Sequence, residues 1–131
     1  MNRQQKNYAL AKAHRETCGE LLSDYEKDWI IRNGIKNPDG TIPTCVWTID
    51  ESLDFDAICV ALESDEEYSR LYGDAQEAQK LLTAAEDALI DYGLSIAPAS
   101  VREILDRNRN RLPTRKKLLD LAFRLDTRTV K

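Results

Sequence analysis

The chain of 131 residues contains little glycine, proline or cysteine, with five, four and three of each. So few glycines and prolines exclude a collagen-like repeat, and three cysteines exclude a disulfide-dense scaffold. No apolar run approaches the roughly 18–20 residues that a membrane-spanning helix needs. Residues 1–12 also lack the hydrophobic stretch of a secretory signal. We therefore expect a cytoplasmic protein without a membrane partner, in which Cys18, Cys45 and Cys59 are free buried thiols.

Residues that build catalytic and metal sites are equally scarce. The one histidine, His14, is expected to lie partly buried on a helix, because a catalytic triad would also need a nucleophile and an acid beside it. The cysteines lack the short paired spacings of a zinc site. Residues 39–50 carry acids at both ends, as a calcium loop does, but Pro43 and Thr44 occupy its middle. We expect a non-enzymatic protein with no metal and no cofactor.

Hydrophobic residues make up 42% of the chain and charged residues 32%, which provides enough apolar material for a core. Apolar residues recur at steps of three and four, which is typical of amphipathic helices. We predict an all-α fold, a single compact domain of about five to six helices. Its segments are a long amphipathic helix (1–33), an irregular hairpin-like insert (34–50), acidic helices (51–97), a basic helix pair (98–126) and a frayed tail (127–131).

Local signals place the ends of several helices. Asn33-Gly34 tolerates the left-handed conformation that ends a helix. Ser64-Asp65-Glu66-Glu67 has the spacing of a capping box and predicts a helix start there. Gly73 and Gly93 are expected to end the helices that precede them. In the insert, Asn37-Pro38-Asp39-Gly40 predicts a turn. Trp47 is expected to cover the core.

Charge is distributed unevenly along the chain. Residues 1–36 have a net charge of +2, residues 37–97 of -12 and residues 98–131 of +6, which together give -4. Acids three and four positions apart repel each other on a helix, and those away from a helix N-terminus gain nothing from its dipole. These acids are either a solvated face or an interaction face for a basic protein. The predicted acidic face consists of Glu63, Glu66, Glu67, Glu86, Asp87 and Asp91.

The basic end of the chain has three interpretations. It neutralises the acidic segment within one molecule, contacts phosphate groups of a nucleic acid, or binds another protein. A helix that starts at Thr114 would place three cations in its first turn, where free N–H groups attract an anion. The candidate phosphate contacts are Arg107, Arg109, Arg111, Arg115, Lys116 and Lys117.

These observations favour a small helical interaction protein that binds a protein partner through charged faces. One version is a regulator or inhibitor of a nucleic-acid machine, an acidic DNA mimic of the type found in phage or mobile-element proteins, because an acidic face can occupy a basic groove. The alternative is a nucleic-acid-binding protein that uses the basic helix pair, whose lengths resemble a helix-turn-helix. The long first helix either wraps its own core or pairs with a second copy in a homodimer.

Overall fold

The computed structural model describes the backbone of residues 2–129 and the side chains of residues 2–123. The described residues form helices and no strand, which confirms the all-α prediction and the long N-terminal helix. Within this part of the chain, every helix is too short or too polar to cross a bilayer. The helices are α1 (Arg3–Arg32), α2 (Phe55–Glu63), α3 (Glu66–Ile96), α4 (Ala99–Arg107) and α5 (Leu112–Thr129), with a 3-10 turn at Val46–Thr48.

Helix α1 ends where the sequence predicts. Gly34 has a positive φ of 66°, which glycine adopts without a steric penalty. Its N–H donates to the Ile31 carbonyl at 3.1 Å, and the Ile35 N–H donates to the Ile30 carbonyl at 3.2 Å. These two bonds form a Schellman motif, which satisfies carbonyl groups that the end of a helix leaves free.

The start of α3 lies one residue later than the predicted capping box implies. Asp65 is the cap, because its carboxylate accepts the Tyr68 N–H at 2.9 Å. Ser64 instead donates its hydroxyl to the Val60 carbonyl at 2.7 Å and so belongs to the end of α2. The Tyr25 hydroxyl also donates to Asp65, at 2.7 Å, and this bond links α1 to the start of α3.

The predicted helix ends at Gly73 and Gly93 are wrong, because α3 runs through both. Neither glycine has a positive φ, so neither adopts the conformation that ends α1. Leu94, which directly follows Gly93 in α3, is buried, as are Leu89 and Ile90 before it. Burial of these apolar side chains favours continuation of the helix over the weak preference of glycine for a helix end.

The insert forms the predicted turn, but no strand follows it within the described residues. Gly40 has a φ of 87°, and its N–H donates to the Asn37 carbonyl at 2.9 Å. The Asn37 side chain accepts the Asp50 N–H at 2.9 Å, which closes the loop. Val46 is buried in the following 3-10 turn, whereas Trp47 is 83% exposed. The expectation that Trp47 covers the core is therefore wrong.

The residues group into two compact units. Unit 1 comprises Met1–Ala13 with Gln79–Lys131, and unit 2 comprises His14–Ala78. The predicted frayed tail, 127–131, falls on the end of α5 and on residues outside those the structure describes.

Unit 2 has its own apolar core. Trp29 and Ile30 from α1 pack with Val46 and with Leu62 from α2. Each of these side chains is almost fully withdrawn from water, which is the main stabilising contribution to a small fold. The partly buried side chains that surround them are Tyr25, Ile35, Ile49, Phe55, Ile58, Cys59 and Tyr68.

Unit 1 is held by an apolar cluster and a buried amide. Ile90, Leu94 and Leu118 join α3 to α5. Gln5 is buried, and its side-chain nitrogen donates to the Ala122 carbonyl at 3.1 Å. Gln5 also exchanges hydrogen bonds with Asn2 at the start of α1, which satisfies free N–H groups of the first turn.

Substitution of a glycine inside a helix and of a glycine at positive φ should change the stability in opposite directions. Gly73 lies inside α3, two turns from its start, and a Cβ there meets no atom within 4 Å. Gly73→Ala should therefore raise the free energy of unfolding by about 0.5–1 kcal/mol, because alanine favours the helix. Gly34→Ala should lower it by about 1 kcal/mol, since alanine is strained at positive φ. Urea unfolding at neutral pH measures both changes, and a gain in stability for Gly34→Ala would contradict the Schellman assignment.

The Tyr25–Asp65 hydrogen bond predicts a pH effect. Together with the Tyr68 amide, it lowers the pKa of Asp65 below its usual value. Stability from a carboxylate with a lowered pKa is present above the unfolded-state pKa and is lost as the pH falls through the folded-state pKa. Tyr25→Phe should move the pKa of Asp65 upwards in an NMR titration of its carboxyl carbon. Tyr72→Phe, which removes another hydroxyl of unit 2, is the control and should leave it unchanged.

Candidate functional site

Charge divides between the two units. His14–Ala78 has 5 basic and 16 acidic residues, a net charge of -11. Met1–Ala13 and Gln79–Lys131 together have 14 basic and 7 acidic residues, a net charge of +7. The six residues of the predicted acidic face are split accordingly. Glu63, Glu66 and Glu67 lie in unit 2, and Glu86, Asp87 and Asp91 lie in unit 1.

The three predicted acids of unit 1 form ion pairs within that unit. Arg115 on α5 lies with its guanidinium nitrogen 2.7 Å from a carboxylate oxygen of Asp87 and 3.2 Å from one of Glu86. The side chains of Arg115 and Glu86 are only 15% and 23% exposed. Burial alone would lower the pKa of Arg115, but the hydrogen bonds with Asp87 and Glu86 raise it above the usual value. These groups therefore form a structural contact between α3 and α5.

A second arginine repeats this arrangement. Arg109 lies 2.7 Å from Asp91 and 3.3 Å from Asp106, and the hydrogen bond with Asp91 raises the pKa of Arg109. Acidic and basic segments thus neutralise each other in unit 1, which is one of the three interpretations of the basic end. The remaining cations of the predicted set are exposed, and no ion pair holds them among the described residues. They are Arg107, Arg111, Lys116 and Lys117.

The predicted anion site at the start of the last helix is not present in the form expected. The helix begins at Leu112 rather than after Thr114, so Lys116 and Lys117 lie beyond its first turn. Pro113 is compatible with this start, because the N–H that proline lacks has no partner in the first turn of a helix. The Arg115 N–H is already used, since it donates to the Arg111 carbonyl at 2.8 Å.

Unit 2 contains a groove that the sequence analysis missed. Its volume is about 630 Å³. Four elements contribute to it: α1, the 3-10 turn, α2 and the start of α3. We call it the aromatic groove. Its lining residues are Glu26, Val46, Trp47, Phe55, Cys59, Leu62, Glu63, Tyr68, Ser69 and Tyr72.

Two pairs of aromatic rings lie along the aromatic groove. The ring centres of Trp47 and Phe55 are 5.7 Å apart and tilted by 43°. Those of Tyr68 and Tyr72 are 6.0 Å apart and nearly parallel, at 24°. Trp47 and Tyr72 are exposed, at 83% and 46%. The groove therefore presents aromatic faces to solvent beside a buried apolar floor.

The charged groups that line the aromatic groove are both carboxylates, Glu26 and Glu63. Burial raises the pKa of Glu26, although a hydrogen bond from the Val46 amide acts against this shift. Burial and the nearby charge of Glu63 raise the pKa of the Cys59 thiol. A thiol with a raised pKa is a poor nucleophile at neutral pH, so Cys59 is a packing residue. The arrangement can hold a positively charged group against aromatic rings and carboxylates.

His14 and Cys18, two further residues considered in the sequence analysis, contact each other on α1. The Cys18 sulfur lies 3.8 Å from His14 Nε2, as expected for residues four apart on α1. His14 is exposed rather than partly buried, and no acid is hydrogen-bonded to its ring among the described residues. In that part of the chain, no cluster of His, Cys, Asp or Glu has the geometry of a metal site.

The Arg115 contact predicts a difference between neighbouring cations. Arg115→Ala leaves Glu86 partly buried without its partner, and we expect the free energy of unfolding to fall by about 1–3 kcal/mol. Lys117→Ala removes the same charge from an exposed position of α5, and we expect a change below about 0.5 kcal/mol. Urea unfolding of the two variants measures this. Equal losses would mean that the ion pairs do not stabilise unit 1.

Comparison with protein families and with known proteins identifies no relative. No family model, no curated protein and no solved structure matches the chain. Its function must therefore be inferred from the charges and geometry of its own residues.

Proposed function

We propose that this protein is a non-enzymatic interaction protein that binds a basic partner protein through unit 2. The observation that supports this most directly is the contrast between the units. In unit 1, Arg109 forms an ion pair with Asp91, and Arg115 forms ion pairs with Glu86 and Asp87. Unit 2 has 11 more acidic than basic residues; Arg70 pairs with Glu67 there, whereas Glu63 and Glu66 form no ion pair among the described residues. An acidic surface of this kind accelerates encounter with a basic partner and disfavours acidic ones.

The partner class follows from this charge. Proteins that handle nucleic acid have basic grooves, and an acidic helical surface can occupy such a groove in place of DNA. We therefore propose that the protein is a regulator or inhibitor of a nucleic-acid machine, a DNA mimic of the phage or mobile-element type. We place it in the cytoplasm, where the free thiols of Cys18, Cys45 and Cys59 stay reduced.

A second candidate function uses unit 1. Four cations of the predicted phosphate-contact set are exposed, and the segments of unit 1 have a net charge of +7. In this alternative the protein binds nucleic acid through Arg107, Arg111, Lys116 and Lys117. Binding would then weaken with salt, because each phosphate contact releases a counterion. A homodimer through exposed apolar residues of α1, such as Leu10 and Leu21, is compatible with either function.

Two triple variants with the same change of charge test the main proposal. E63Q/E66Q/E67Q removes three acids of unit 2, and E86Q/D87N/D91N removes three acids of unit 1. The probes are a fluorescently labelled nona-arginine peptide and a labelled DNA duplex, followed by anisotropy at low and moderate salt. We expect the wild-type protein to bind the peptide and not the duplex. The unit 2 variant should bind the peptide about tenfold more weakly, from three surface charge contacts.

The unit 1 variant is the matched control. It should keep its affinity for the peptide but lose stability, because it breaks the ion pairs of Arg109 and Arg115. Circular dichroism establishes that both variants are folded at the assay temperature. Absence of peptide binding by the wild-type protein contradicts the proposal. Salt-sensitive binding of the duplex, lost on replacing Lys116 and Lys117, would support the second function instead.

A further inference from the structure

We infer that the aromatic groove is the recognition site of unit 2, and that it binds an arginine or lysine side chain on a basic segment of the partner that also carries apolar residues. This inference rests on the proposed function, because it assumes a basic partner. It adds a defined site and the chemical class of the group that enters it.

The aromatic faces provide the first reason. Trp47 is the most exposed large hydrophobic residue among the described side chains, although it lies directly beside the buried Val46. Its ring packs against Phe55 and leaves the rest of its surface to solvent. Exposed aromatic rings at the edge of an apolar depression are typical of protein-binding sites, since tryptophan and tyrosine dominate binding energy at interfaces. A cation above such a ring is also attracted by its negative face.

The carboxylates provide the second reason. Glu26 and Glu63 both line the aromatic groove, and neither forms an ion pair within the described residues. Glu26 is partly withdrawn from water, which raises its pKa and makes the charged form more costly. An entering guanidinium or ammonium group would compensate this desolvation. Glu26 and Glu63 therefore attract a cation and have no cationic partner within the described residues.

Other occupants fit these groups less well. A neutral apolar ligand would cover Glu26 without neutralising it, which is unfavourable. A nucleic acid or other anion would be repelled by the net charge of -11 on this unit. A basic segment with apolar residues satisfies both the carboxylates and the aromatic rings.

The test compares variants of the full chain that differ only in whether the changed residue lines the aromatic groove. Trp47→Ala removes an exposed aromatic ring, and Val60→Ala removes an exposed apolar side chain of α2 outside the groove. Glu63→Gln removes an acid that lines the groove, and Glu51→Gln removes an exposed acid elsewhere in unit 2. The probe is a short helical peptide with arginine and leucine on one face. A second peptide carries citrulline, which keeps the shape of arginine without its charge.

Binding is followed by NMR titration of the labelled protein, which also locates the site. We expect the arginine peptide to shift the indole N–H of Trp47 and the amides of Glu63 and Tyr72. Trp47→Ala should weaken binding at least about fivefold, and Glu63→Gln about twofold to fivefold. Val60→Ala and Glu51→Gln should change it less than about twofold. The citrulline peptide should bind at least about fivefold more weakly than the arginine peptide.

The outcomes separate this inference from the proposed function. If the protein binds nona-arginine but Trp47→Ala and Glu63→Gln behave like their controls, the site is wrong while the function stands. If it binds neither basic peptide, both are wrong. Equal affinity for the citrulline peptide would identify an apolar site and overturn the assignment to a cation. A dimer in analytical ultracentrifugation that Trp47→Ala dissociates would identify a second copy of the chain as the occupant and overturn the assignment to a partner protein.

Discussion

The ion pairs of Arg115 with Glu86 and Asp87 neutralise acidic groups of α3 within unit 1. They lie between α3 and α5 and are largely shielded from water at the arginine. An arginine that is removed from water must keep its acidic partners, because an unpaired charge at such a position is strongly destabilising. The most acidic part of α3 in unit 1 is thereby committed to the fold.

Unit 2 differs from unit 1 in this respect. Its core is apolar, built around Trp29, Ile30 and Leu62, and it needs few charged groups to hold it together. Its acids are mostly at the surface, where they repel one another. The aromatic groove lies within this unit, so aromatic rings and carboxylates line the same depression.

Sequence reasoning succeeded where the signal was local. The end of α1 is marked by Gly34, because few other residues adopt its conformation. It failed at Gly93, where burial of Leu94 accompanies the continuation of α3, and at Trp47, which packs against Phe55 and is exposed rather than covering the core. The pairing of Arg115 joins residues 28 and 29 positions apart, and no periodicity within one helix reports such a contact. The aromatic groove was missed for the same reason, although both aromatic residues and acids occur along 47–72.

The two tryptophans of the chain occupy opposite environments within the same unit. Trp29 is 6% exposed in the core, whereas Trp47 is 83% exposed at the aromatic groove. An indole in an apolar interior emits at shorter wavelength than one in water, and only the latter is accessible to a dissolved quencher. The intrinsic fluorescence of the protein therefore has two separable components. Iodide, which an acidic surface repels, should quench Trp47 less efficiently than neutral acrylamide does, so the light from this one side chain reports the local electrostatic potential directly.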